Sequence, residues 1–206
     1  MRNWTWLALL LIACGGDDDP SPGVDAPLPP SDGGPPPAFV GTWQLAEYPN
    51  MPIDEPIVVT FGADGSVRHQ QGSFTQDGFW AITPENQLTI SIAGSPTTFD
   101  YRVLDDVLLY RVLLPSGIVD GRIGTWTAKS KLGSTPMIET VVLGADMSAT
   151  YMRNVGGSTD NFAGTWELRE DTVHMEGLFN GELETALGYH SVPDVALAAD
   201  KYVRVP

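Results

Sequence analysis

Among 206 residues there is a single cysteine, so no intrachain disulfide can form and no cysteine cluster can bind a metal. Basic residues are few: 11 Lys and Arg stand against 26 Asp and Glu, for a net charge of −15. Nucleic acid is thereby excluded as a partner, because phosphate contacts need clustered cations. Long apolar runs are also missing. The longest uncharged opening stretch, Trp4 to Ala13, would rise about 15 Å as a helix against roughly 30 Å of bilayer hydrocarbon. G-x-S-x-G, H-E-x-x-H and a phosphate-cradling glycine loop are all absent, and His69, His174 and His190 are the three histidines. His174 and Glu176 share a strand face, but half a zinc site is not a site. The expectation is a protein that is not an enzyme and holds neither metal nor cofactor.

What is present begins with one basic residue, Arg2, then the short apolar run, then Leu11-Ile12-Ala13-Cys14. The run suits the apolar region of a signal peptide. Its end resembles the lipobox of bacterial lipoprotein precursors, in which the cysteine is acylated and the chain is cut just before it. The resemblance implies a signal peptide over 1–13 and a lipid on Cys14, which would make the membrane a partner and the cell envelope the location. Two or more acyl chains anchor stably, at about 0.8 kcal/mol for each buried CH₂. In that family an Asp directly after the cysteine favours the inner membrane; Gly15 here points to the outer one.

Residues 14–38 are Gly, Pro, Asp and Ser with a few small apolar residues, as in Gly33-Gly34-Pro35-Pro36-Pro37. Such a composition buries too little apolar surface to offset the ordering of its backbone, so it reads as a disordered tether. Loss of Arg2 with the signal peptide takes the charge to −16. Five of the acids (Asp17, Asp18, Asp19, Asp25, Asp32) lie in the tether, which leaves −11 on the rest.

From Phe39 onward no helical periodicity is sustained over three turns. Short alternating runs follow one another between Gly, Pro, Asp and Asn: Ile57, Val59 and Phe61 share a face, as do Leu88, Ile90 and Ile92, and Val173 and Met175. Ala63-Asp64-Gly65-Ser66 reads as a hairpin turn. Regular short strands predict an all-β antiparallel meander, a sandwich or barrel. The pattern also recurs. Gly41-Thr42-Trp43 returns as Gly124-Thr125-Trp126, and Phe61 to Ser66 as Leu143 to Ser148. Gly78-Phe79-Trp80 returns as Gly164-Thr165-Trp166, Tyr101 as Tyr189, and Arg111-Val112 as Arg204-Val205. The ordered series predicts two repeats, 39–113 and 114–206, each a meander of about seven strands. They would form two small barrels or one shared barrel.

Phe39-Val40-Gly41-Thr42-Trp43 resembles the G-x-W opening of lipocalins and of the small lipocalin-like domains of bacterial lipoproteins. The resemblance implies a barrel with the Trp at its base and an Arg of the last strand packed across it. Arg111 and Arg204 would take that part over Trp43 and Trp126. It also implies a small apolar ligand, for which Ile57, Val59, Leu88, Ile90 and Met175 would line the interior. The alternative is a barrel filled by its own side chains, acting as an interaction or structural module with an envelope protein as partner.

Overall fold

Alternating burial is what turns these runs into strands. Along Ser148–Val155 the residues at 149 and 151 are buried and those at 148, 150 and 152 exposed, as a half-buried sheet requires. A computed structural model describes residues 37–47 and 55–206, and every regular element in it is a strand. The first half contains β1 (Gly41–Glu47), β2 (Ile57–Phe61), β3 (Ser66–Gln71), β4 (Phe74–Ile82), β5 (Leu88–Ile92), β6 (Ser95–Phe99), β7 (Tyr101–Leu104) and β8 (Val107–Pro115). The second contains β9 (Gly124–Leu132), β10 (Thr135–Leu143), β11 (Ser148–Val155), β12 (Ser158–Arg169), β13 (Thr172–Phe179), β14 (Leu183–Val192) and β15 (Ala196–Arg204). Cys14, the expected signal peptide and the expected tether as far as residue 36 lie outside the described residues.

All fifteen strands join one antiparallel sheet. Its outer course, β1 to β6 and then β9 to β15, closes as a ring of thirteen through the β1–β15 pairing. β8 crosses that ring. It pairs with β15 on one edge, and with β7 and then β9 on the other. Two closed circuits result. The first runs β1, β2, β3, β4, β5, the β6–β7 strand broken at Asp100, β8, β15 and back to β1. The second runs β9 through β15, then β8, and back to β9. With the broken strand taken as one, each circuit has eight strands, a number that leaves an interior just wide enough for side chains. The choice between two small barrels and one shared barrel therefore resolves into two barrels that share the β8–β15 ladder as a wall.

The cores follow the circuits. Phe39, Trp43, Phe61, Trp80, Leu88, Leu108, Tyr110 and Tyr202 belong to the first, and Leu113, Trp126, Leu143, Tyr151, Phe162, Val173, Met175 and Leu197 to the second. In the wall, Leu109, Val112, Ala196 and Ala198 form a third small cluster. β8 and β15 are antiparallel, so the barrels point opposite ways. The end holding Trp43 is called the base of barrel 1, the end holding Trp126 the base of barrel 2, and the opposite ends their mouths.

Corresponding residues can be read from the register. Trp43 lies opposite Val59 and Trp126 opposite Val141; Trp80 lies opposite Ile90 and Trp166 opposite Met175. Both Gly78 and Gly164 sit where strands cross so closely that an added Cβ would strike a carbonyl, of Ser91 or of Glu176. Towards the ends of the two halves the register departs from the sequence matching. Leu88 faces Phe99 and Val173 faces Tyr189, so Tyr189 corresponds to Phe99, not to Tyr101. Trp43 faces Arg204 whereas Trp126 faces Pro115, so the counterpart of Arg204 is Pro115, not Arg111. The slip has a physical source. The break at Asp100 and the different last turns, two residues after Leu104 and three after Val192, change the spacing while similar residue types recur nearby.

Candidate functional site

At the base of barrel 1 the Trp43 indole N–H donates to the Phe39 carbonyl at 2.6 Å, and the ring is fully buried. The Arg204 guanidinium lies 4.3 Å from the ring centroid and donates to the carbonyls of Ala38, at 2.7 Å, and Val40. A cation over an indole face is worth about 0.5–2 kcal/mol. At the base of barrel 2 Trp126 is equally buried, and its indole donates to the Arg122 carbonyl at 2.9 Å. The expectation of Arg111 over Trp43 and Arg204 over Trp126 is thereby corrected: Arg204 covers Trp43, and the Nε and a terminal nitrogen of Arg111 grip Asp200 at 2.9 and 3.0 Å across the shared wall. Arg111 adopts φ 50°, a left-handed conformation, where β8 leaves β7 for β9.

The residues expected to line a pocket are placed as interior residues. Val59, Leu88 and Met175 are buried, and Ile57 and Ile90 pack against the first core. Rings fill much of that core. Phe39 meets Phe61, Trp80 and Tyr101 edge-on at 4.8–5.3 Å between centroids, and Tyr110 links Phe61, Phe99 and Tyr202. On the outer face of β13 sit His174 and Glu176; among the described residues no three His, Cys, Asp or Glu gather as a metal site.

The mouth of barrel 2 was not singled out from the sequence. Glu139, Arg153 and Asp160 occupy inward positions on β10, β11 and β12 and are paired across the strands as a row of alternating charge. The Tyr151 hydroxyl donates to Glu139 at 2.7 Å, and Arg153 donates to Asp160 at 2.6 Å. Asn180, on the β13–β14 turn, donates to Asp160 at 3.4 Å and accepts the Asn161 N–H at 2.8 Å. Burial pushes the Tyr151 and Tyr189 phenols up, and the charge of Glu139 adds to both, so both remain proton donors at neutral pH. The Arg153 bond holds the Asp160 carboxyl below the usual range. Although burial works against its charge, Arg153 is held above its ordinary value by Asp160. Ser130, also inward on β9, is buried without a hydrogen-bond partner for its hydroxyl among the described residues.

The corresponding positions at the mouth of barrel 1 are Ile57, His69, Gln71 and Phe74. Burial lowers the His69 pKa, so this rim is neutral. Strand alternation marks residue 139 as inward, but its charge reads equally as surface, which hid the row from sequence analysis. An open depression of about 430 Å³ adjoins it, bordered by Asn161, Phe162, Ala163, Leu178, Asn180 and Gly181. Another, of about 210 Å³, lies by Phe39 and Tyr101 at the base of barrel 1. The polar row can orient or exclude polar groups at a barrel opening; in it Arg153 is paired with Asp160, and Glu139 accepts from Tyr151. No protein-family model, no curated protein and no solved structure matches this chain.

Proposed function

We propose that the chain is a lipid-anchored envelope protein, tethered through Cys14, whose paired lipocalin-like barrels are filled by their own side chains and act as an interaction or structural module. The observation that supports this most is the ring network running from Phe39 through Phe61 and Tyr110 to Tyr202, which occupies the first interior from base to wall. On this reading the two halves descend from one duplicated unit, and activity lies at barrel ends and outer faces instead of in a lined cavity. The lipobox resemblance of Leu11 to Cys14 supports the anchor, and the composition of residues 15–38 supports a spacer.

A second reading, a carrier of a small apolar molecule, is favoured by one observation confined to barrel 2. There Ala128, Ala149 and Ala199 stand where barrel 1 has Leu45, Val67 and Tyr110. An apolar fluorescent probe and a fatty-acid panel separate the two. The module reading expects neither saturable binding nor a concentration-dependent rise in melting temperature; either result in the wild type would establish a carrier instead. The anchor is tested separately: Cys14→Ser should move the protein from membranes to the soluble fraction. Retention of that variant through detergent-free washing would remove the lipid anchor from the proposal.

A further inference from the structure

Neither half closes its own barrel. β1 opens the first circuit but pairs with β15 of the second half, and β9 opens the second circuit but pairs with β8 of the first. From β8 the first half supplies Leu113 to the second core, and from β15 the second half supplies Tyr202 to the first. We infer that the halves are reciprocal strand donors, each the other's binding partner, and that this exchange holds the molecule together independently of the covalent connector.

The chemistry of the shared wall carries the inference. Tyr110 and Tyr202 pack with ring centroids 4.7 Å apart, and Arg111 and Asp200 are joined by two hydrogen bonds. Beside the wall, Gln87 donates to the Lys129 carbonyl at 2.9 Å, Gly133 N–H to Pro96, and Arg204 N–H to Asp106. Separating the halves would expose both strand edges and the apolar wall together, leaving the backbone groups of those edges without their ladder partners. The connector, by contrast, is a surface loop in which Ile118 is 98% exposed. A separated half would present a free edge and an open core matched in shape to one chemical partner: the complementary half, from the same chain or a second copy.

The test inserts a site-specific protease recognition sequence between Gly117 and Ile118 of the full chain and cuts it after folding. Light scattering behind size exclusion should find both fragments in one particle of the uncut mass at micromolar concentration. They should part only in denaturant and reassemble when it is removed. Adding Asp200→Ala to the cut protein should weaken fragment association by about tenfold or more, because it strands Arg111 in the wall. Amide exchange provides a check that does not depend on that variant: Leu108 to Val112 and Leu197 to Val203 should be among the slowest amides before and after cutting. Fragments that separate in buffer, each keeping its strand signal, would overturn the inference, as would wall amides that exchange as fast as the outer strands.

Discussion

Barrel 1 and barrel 2 have corresponding strands, registers and base tryptophans but fill their interiors differently. Barrel 1 places Phe61, Phe99, Tyr110 and Tyr202 where barrel 2 has Leu143, Tyr189, Ala199 and Leu113. Barrel 2 instead carries charge at its mouth, in Glu139, Arg153 and Asp160, where barrel 1 has Ile57, Gln71 and Phe74. The backbone scheme survives both solutions, which shows that inward alternation and the shared wall define the architecture while interior volume and polarity remain free to diverge. If one end of the molecule has a specialised task, the polar mouth is the better candidate, since charges placed inward seldom add stability.

The largest effects should come from the base tryptophans. Trp43→Ala and Trp126→Ala each remove a fully buried ring and should cost about 3–5 kcal/mol in urea unfolding. Trp43 should be the costlier by about 0.5–2 kcal/mol, since it also loses the Arg204 contact. Because the barrels share a wall, wild type and both variants should each show one transition. Two separated transitions would mean that the wall does not couple the halves.

Exchanging interior residues sharpens the volume difference. Ala128→Leu and Ala149→Val give barrel 2 the residues of barrel 1 at corresponding positions. In a close-packed interior each should cost about 1–3 kcal/mol by overpacking. Neutral or stabilising outcomes in thermal unfolding would reveal unfilled space and favour the carrier reading of barrel 2.

Much of this was legible in the sequence. The alternation at Ile57 to Phe61, the recurring G-T-W and the Asp64 and Asp146 turns each depend on neighbours within a few residues, and the strands follow them. Reciprocal closure was not legible, because β1 meets β15 across more than 150 residues and no local pattern records which last strand a first strand chooses. The expectation of Arg111 over Trp43 and Arg204 over Trp126 failed for a related reason, since Arg204 lies over Trp43 and Pro115 faces Trp126. A basic residue in a last strand is common, and only the ladder shows that Pro115 occupies that place. Glu139 and Asp160 were hidden by the general acidity of the chain.

A matched pair of turns offers a smaller test. Gly65 has φ 84° and its counterpart Met147 has φ 64°, in turns otherwise alike: Asp64 and Asp146 each accept from the residue two ahead. A left-handed conformation costs a side chain about 1–2 kcal/mol, partly offset by the extra unfolded-state freedom of glycine. Met147→Gly should therefore stabilise by about 0.5–1 kcal/mol, and Gly65→Ala should destabilise by a similar amount. Equal responses in thermal melts would mean that the two turns are not equivalent.

The smallest expected effect concerns acid and the mouth that distinguishes barrel 2. In the folded protein the Asp160 carboxyl lies below its ordinary value because Arg153 donates to it. The unfolded chain therefore binds its proton first as pH falls. The stability that the pair contributes is fully present above the ordinary carboxylate range and disappears as pH drops through the lowered folded value. Both side chains are about a third exposed, at 33% and 32%, so solvent screening limits the contribution to about 0.2–1 kcal/mol at neutral pH. Asp160→Asn should lower stability by that amount at pH 7 and match wild type once the pH is below the lowered folded value. Phe74 stands at the corresponding place in barrel 1, so Phe74→Leu should show no such convergence with acid. A wild type and Asp160→Asn difference that stays constant from pH 7 to pH 2.5 would show that Asp160 acts through packing, and the polar mouth would lose its electrostatic distinction.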